Sequence, residues 1–136
     1  MNKCSTCAIF VEKYGPKLEE QDLLRDRCKQ LYKFVEWVLN SKYGKKARRL
    51  GLKLLELPPK DEPADNANLE AVYRGDYGQI LADKIDALRD IELAYFDMLE
   101  LWLTPRRWAW IRKDAPKSIV RFIDKYWWLS EGGNEP

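Results

Sequence analysis

Most enzyme chemistry needs side chains that this chain does not carry. It has no histidine, so no Ser-His or Cys-His pair can activate a nucleophile. The Glu-x-x-His motif of di-iron helical bundles is impossible for the same reason, as is the Arg-to-His motif of helical ribonucleases. Gly75, Gly78 and Gly132-Gly133 match neither the dinucleotide fingerprint nor the phosphate loop. Asp83 with Asp86 or Asp90 offers a carboxylate pair for acid–base work. On a charged helix, that spacing is more simply a solvated face. We expect no enzyme, no cofactor and no small-molecule substrate.

The three cysteines are Cys4, Cys7 and Cys28. Structural zinc takes four ligands, and here there is neither a histidine nor a second Cys-x-x-Cys, so no metal site is expected. A thioredoxin-like role needs a βαβ setting that the sequence does not offer. Two states remain open: free buried thiols, or a bridge from Cys28 to Cys4 or Cys7 that pins the N-terminal segment.

Cations supply the chemistry that remains. Between Ser41 and Lys53 stand Lys42, Lys45, Lys46, Arg48, Arg49 and Lys53 with no acid, although the net charge of the chain is only +2. A second stretch, Arg106 to Lys125, sets seven Lys or Arg against Asp114 and Asp124 and interleaves them with Trp108, Trp110 and Phe122. Clustered cations are commonly just a solvated face. Here Lys42, Lys45, Lys46 and Arg49 recur at three- and four-residue steps, so one helical side can present several together. The acids lie in other segments, so neutralisation within the chain is not automatic. Such a side suits a polyanion or an acidic partner. Phosphate contacts of this kind give affinity without sequence preference and with steep salt dependence. No recognition helix or zinc finger suggests base readout. The phosphate contacts expected are Lys42, Lys45, Lys46, Arg48, Arg49 and Lys53, with Arg106, Arg107, Arg112 and Lys113 in second rank.

The tryptophans divide in two. Trp37 and Trp102 fall on the apolar faces of long helices and are expected in the core. Trp108 and Trp110 are two apart on a helix and cannot share a face, and the adjacent Trp127 and Trp128 cannot either. One of each pair should be left for a neighbour, so Trp108, Trp110, Trp127 and Trp128 are the expected interface residues. Stacking on single-stranded bases is a second use for them.

The elements that must position these residues are helices. Leu24, Cys28, Leu31, Val35 and Val38 repeat at helical steps. Pro16 suits a first helical turn and Gly44 a C-terminal cap. Tyr77, Leu81, Ile85, Leu88, Ile91, Tyr95, Leu99 and Trp102 mark a second long helix, with Asp76 and Gln79 spaced as a capping box. Thr104-Pro105 and Asp114-Ala115-Pro116 are stop-and-restart signals. No alternating run or hairpin turn signals a strand. The expected fold is all-α: a helical bundle built on two long helices, about 16–43 and 77–103, with shorter basic and C-terminal helices. It forms one domain over 1–136, with an N-terminal segment (1–15), a basic helical segment (42–57) and a loop (58–68).

No run reaches the roughly 20 apolar residues of a membrane helix, and the N-terminus lacks a signal-peptide core. Thr occurs twice and Gln three times, while Lys, Arg, Asp and Glu make up 34%. Scarce amides with abundant charge resemble the proteins of hyperthermophiles.

Taken together, a small His-free helical chain with a basic segment between long helices and surplus aromatics resembles the α-helical coat (nucleocapsid) proteins of filamentous viruses of hyperthermophilic archaea. The resemblance covers size, helix pattern and charge layout, and no specific motif. It implies non-specific binding of double-stranded DNA, self-assembly with itself or a paralogous subunit, and residence in a virion or the host cytoplasm. Two other classes fit the same charge layout. One is a small helical subunit of an archaeal ribonucleoprotein (CRISPR-type) complex. The other is a virus-encoded adaptor or inhibitor that binds an acidic host protein.

Overall fold

In a computed structural model, the backbone is described for residues 5–58 and 66–130, and side chains for 13–58 and 70–126. Among these residues the chain is all-α, with six helices and no strand: α1 (Ser5–Asn40), α2 (Gly44–Arg49), α3 (Asn66–Arg74), α4 (Tyr77–Trp102), α5 (Pro105–Asp114) and α6 (Lys117–Ser130). The long helices α1 and α4 pack together as the expected bundle requires. None of the described helices is long and apolar enough to cross a membrane.

The chain folds into two compact units, and each long helix contributes to both. The first comprises Met1–Cys28 and Glu56–Leu93, the second Lys29–Leu55 and Ala94–Pro136. In the first unit, Tyr14, Leu24 and Cys28 of α1 bury against Ala71 of α3 and Tyr77, Leu81, Ile85 and Leu88 of α4. The Tyr14 and Tyr77 rings meet edge to face at 5.0 Å. Arg27 pairs with Glu92 at 2.8 Å. In the second unit, the core holds Leu31, Phe34, Val35 and Val38 of α1 with Tyr95, Leu99 and Trp102 of α4, Ile111 of α5 and Ile123 and Tyr126 of α6. Tyr126 stacks on Phe96 at 4.7 Å and on Phe122 at 5.1 Å. Trp102 is fully buried, whereas Trp37 is only half-buried, so the core placement expected for both holds for Trp102 alone.

Several element boundaries differ from the expected ones. Helix α1 does not open at Pro16 but carries that proline inside it. A proline costs a helix roughly 3 kcal/mol, and the buried Tyr14 contact just upstream is one compensation. Gly44 is not a C-terminal cap: α1 ends at Asn40, and Gly44 is the buried first residue of α2. Asp76 and Gln79 form no reciprocal cap either. The Gln79 amide donates forward to Asp83 at 2.8 Å, and the Asp76 carboxylate faces Arg74 at 3.4 Å. Thr104 does cap α5, its hydroxyl accepting from the Arg107 amide at 3.2 Å with Pro105 in the first turn.

Candidate nucleic-acid interface

The basic segment is shorter as a helix than its apolar spacing suggests. Helix α2 covers only six residues, and 52–58 are not helical. It ends in a Schellman motif. Gly51 adopts φ 94°, the Gly51 amide donates to the Arg48 carbonyl at 3.0 Å, and the Leu52 amide donates to the Ala47 carbonyl at 2.9 Å. Ala47 and Leu52 are both buried, which supplies the apolar contact of that motif. The sequence signal was Gly51 itself, standing just after a run of cations. The chain beyond is held by Tyr95, whose hydroxyl accepts from the Leu55 amide at 3.0 Å and donates to the Leu55 carbonyl at 3.3 Å.

This geometry decides where the cations point. Gly44 and Ala47, three residues apart, face inward, so Lys45, Lys46, Arg48 and Arg49 are all exposed. Lys53 is exposed in the segment after the turn. Among the described residues, none of these five lies within ion-pair distance of an acid. Lys46, Arg48 and Arg49 occupy the last turn of α2, where the helix dipole favours positive charge. That accounts for part of the cluster without a ligand, but not for Lys45 or Lys53. Lys42 differs from the rest. It lies in the turn before α2, 3.5 Å from Asp114 and 5.3 Å from the centre of the Tyr43 ring.

Asp114 ends α5, so the two basic stretches, about seventy residues apart in sequence, meet there. The Tyr43 hydroxyl donates to Asp114 at 3.3 Å. Lys42, Tyr43, Trp110, Lys113 and Asp114 line one open depression of about 320 Å³. Of the second-rank cations, Arg106 and Lys113 are exposed and unpaired among the described residues. Arg107 and Arg112 are not free as expected. Arg107 donates to the Trp102 carbonyl at 2.6 Å, satisfying an orphan group at the end of α4. Arg112 donates to Asp124 at 2.6 Å and lies over the Trp108 ring.

Trp108 is likewise held inside the second unit. Its indole N–H donates to Asp124 at 2.8 Å, and its ring meets Phe34 edge to face at 6.0 Å. Trp110, about 200° further round α5, is 52% exposed. The side chains of Trp127 and Trp128 lie outside the described residues. Cys28 is a free, buried thiol whose Sγ donates to the Leu88 carbonyl at 3.4 Å, so the bridge to Cys4 or Cys7 that would pin the N-terminus is not made. Cys4 and the side chain of Cys7 lie outside the described residues. Among the described residues, no three Cys, Asp or Glu side chains converge as a metal site requires.

Net charge separates along the same division as the core. The second unit carries fifteen Lys and Arg against seven Asp and Glu, net +8, and the first carries nine against fifteen, net −6. The near-neutral chain is thus one strongly basic unit and one strongly acidic unit. Comparison of the chain with known protein families, characterised proteins and solved structures gives no match.

Proposed function

We propose that this protein is a structural DNA-binding protein that holds duplex DNA by its phosphates through α2, and that it acts as a coat subunit, with many copies lining one duplex. The observation that carries this is the set of five exposed cations, Lys45, Lys46, Arg48, Arg49 and Lys53, which no acid among the described residues neutralises. A net +8 on the unit that bears them adds long-range attraction for a polyanion. Contacts of this type position a protein on the backbone and carry no sequence information. The coat role rests on the resemblance in size, helix pattern and charge layout given above, and it requires copies to associate.

Lys45→Glu combined with Lys46→Glu tests the phosphate contacts. Fluorescence anisotropy with duplex DNA across a salt series should show weaker binding and a log–log salt slope shallower by about 2. An unchanged slope removes α2 from the site. Electron microscopy of the protein with duplex DNA, with RNA and alone tests assembly, and regular filaments with duplex DNA are expected. Binding to RNA with no filaments on duplex DNA would favour the ribonucleoprotein subunit instead.

A further inference from the structure

The depression at the end of α5 has features that phosphate contacts do not need. Phosphates are satisfied by ammonium and guanidinium groups, yet here a half-exposed indole stands among charges. The Trp110 ring has open space before it, and its N–H has no partner among the described residues. The depression is also lined by Lys42, Tyr43, Lys113 and Asp114. Asp114 Oδ2 serves both Lys42 and Tyr43. Its Oδ1 has no partner among the described residues.

We propose that this depression binds one unpaired nucleobase of a nucleic-acid strand, stacked on Trp110, while the flanking phosphates lie along the cations of α2. The proposal rests on the phosphate-binding role assigned to α2 and extends it. Three features select a base as occupant. The volume of about 320 Å³ is at the small end of ligand pockets, about 300–1,000 Å³, and suits one heterocycle rather than a partner helix. The rim is charged, so an apolar surface from a second copy would strip water from Lys113 and Asp114 without replacing it. A base brings a π-face for the indole and polar edges for the rim. The amino group of cytosine or adenine can donate to the free carboxylate oxygen. Lys42 is also two residues before the start of α2, so the depression adjoins the helix assigned to the phosphates.

A base inside an intact duplex is stacked between its neighbours and presents no free face. The site therefore discriminates single strands, overhangs and frayed ends from closed duplex. The test uses three fluorescent probes: an oligodeoxycytidylate, an abasic strand of equal length, and a dumbbell duplex with no free ends. The native protein should bind the oligodeoxycytidylate about tenfold more tightly than the abasic strand, as one stacked base implies. Trp110→Ala should abolish that difference while leaving dumbbell and abasic affinity unchanged, and Trp110→Phe should retain most of it. Lys45→Glu with Lys46→Glu should weaken all three probes together.

Equal binding of base-bearing and abasic strands by the native protein overturns the base site and leaves the phosphate role standing. Equal loss on all probes in Trp110→Ala, with the circular dichroism spectrum intact, also overturns it. A change in sedimentation of Trp110→Ala without nucleic acid assigns the depression to a second copy instead. Failure of the native protein to bind any probe at low salt overturns both proposals.

Discussion

Cations of the same type have different roles here, and immediate neighbours decide which. Lys45 and Lys46 meet no acid among the described residues, whereas Arg112 is fixed between Asp124 and the Trp108 ring. Charge-assisted hydrogen bonds of that kind are about twice as strong as neutral ones. Arg112 thus orders the second unit and is poorly placed to leave for a phosphate. Cys28 shows the same dependence on surroundings. Burial pushes its thiol from 9.0 up to about 11; nearby Glu92 adds to the rise, and Arg27 and Arg25 oppose it. A raised folded value means that the unfolded chain loses its proton first. The resulting stabilisation is complete below about pH 9 and disappears as the pH climbs to about 11. Its size is at most roughly 3 kcal/mol. In a Cys4→Ser, Cys7→Ser background, denaturant midpoints should fall over that window more in the protein with Cys28 than in Cys28→Ala. Alkylation of Cys28 at pH 8 should be slow until the chain unfolds, because a neutral buried thiol is a poor nucleophile.

Among the elements, α4 follows its sequence pattern almost to the residue: the spacing implies 77–103, and the helix is Tyr77–Trp102. Its apolar positions recur at steps of three and four, and no glycine or proline interrupts them after Gly78. In the basic segment, Ala47, Leu50 and Leu54 continue a helical spacing across Gly51 that the chain does not follow. The left-handed turn there reverses the chain, and Leu52 is buried by the reversal rather than by a helix face. Gly75 closes α3 by the same device: its own amide bonds the Val72 carbonyl, and the Asp76 amide bonds that of Ala71. Gly44 does something else. A Cβ there would stand 2.3 Å from the Leu39 carbonyl oxygen, so the close approach of α2 to the end of α1 depends on that glycine. Gly44→Ala should destabilise the protein by roughly 1–3 kcal/mol and weaken duplex binding, because α2 must shift to make room. Gly51→Ala meets no atom and strains only the backbone. It should cost roughly 1–2 kcal/mol with DNA affinity nearly retained. Chemical denaturation and anisotropy on both variants separate the two effects.

For the molecule as a whole, charge distribution matters more than net charge. A net +2 gives little attraction to DNA, but a unit at +8 has a substantial local field. The five phosphate contacts proposed above, if all are made, predict that duplex affinity falls on the order of several hundredfold between about 50 and about 200 mM salt. Binding driven by the net charge of the chain would be far flatter. A titration at four or five salt concentrations checks this without any mutation.

The sequence by itself determined the all-α class, the two long helices and the gathering of cations into an acid-free segment. These follow from local rules: helical periodicity, capping and composition act over a few residues and need no distant partner. It could not determine which arginines were free, which tryptophan faced solvent, or that Lys42 and Lys113 border one depression. Nor did it show that the chain divides into an acidic and a basic unit, since each is assembled from two separate stretches. Those outcomes depend on contacts between residues far apart in the chain, such as Tyr43 with Asp114 and Phe34 with Trp108. Burial and ion pairing are settled by what folding brings within a few ångströms, and no local pattern along the chain encodes that distance.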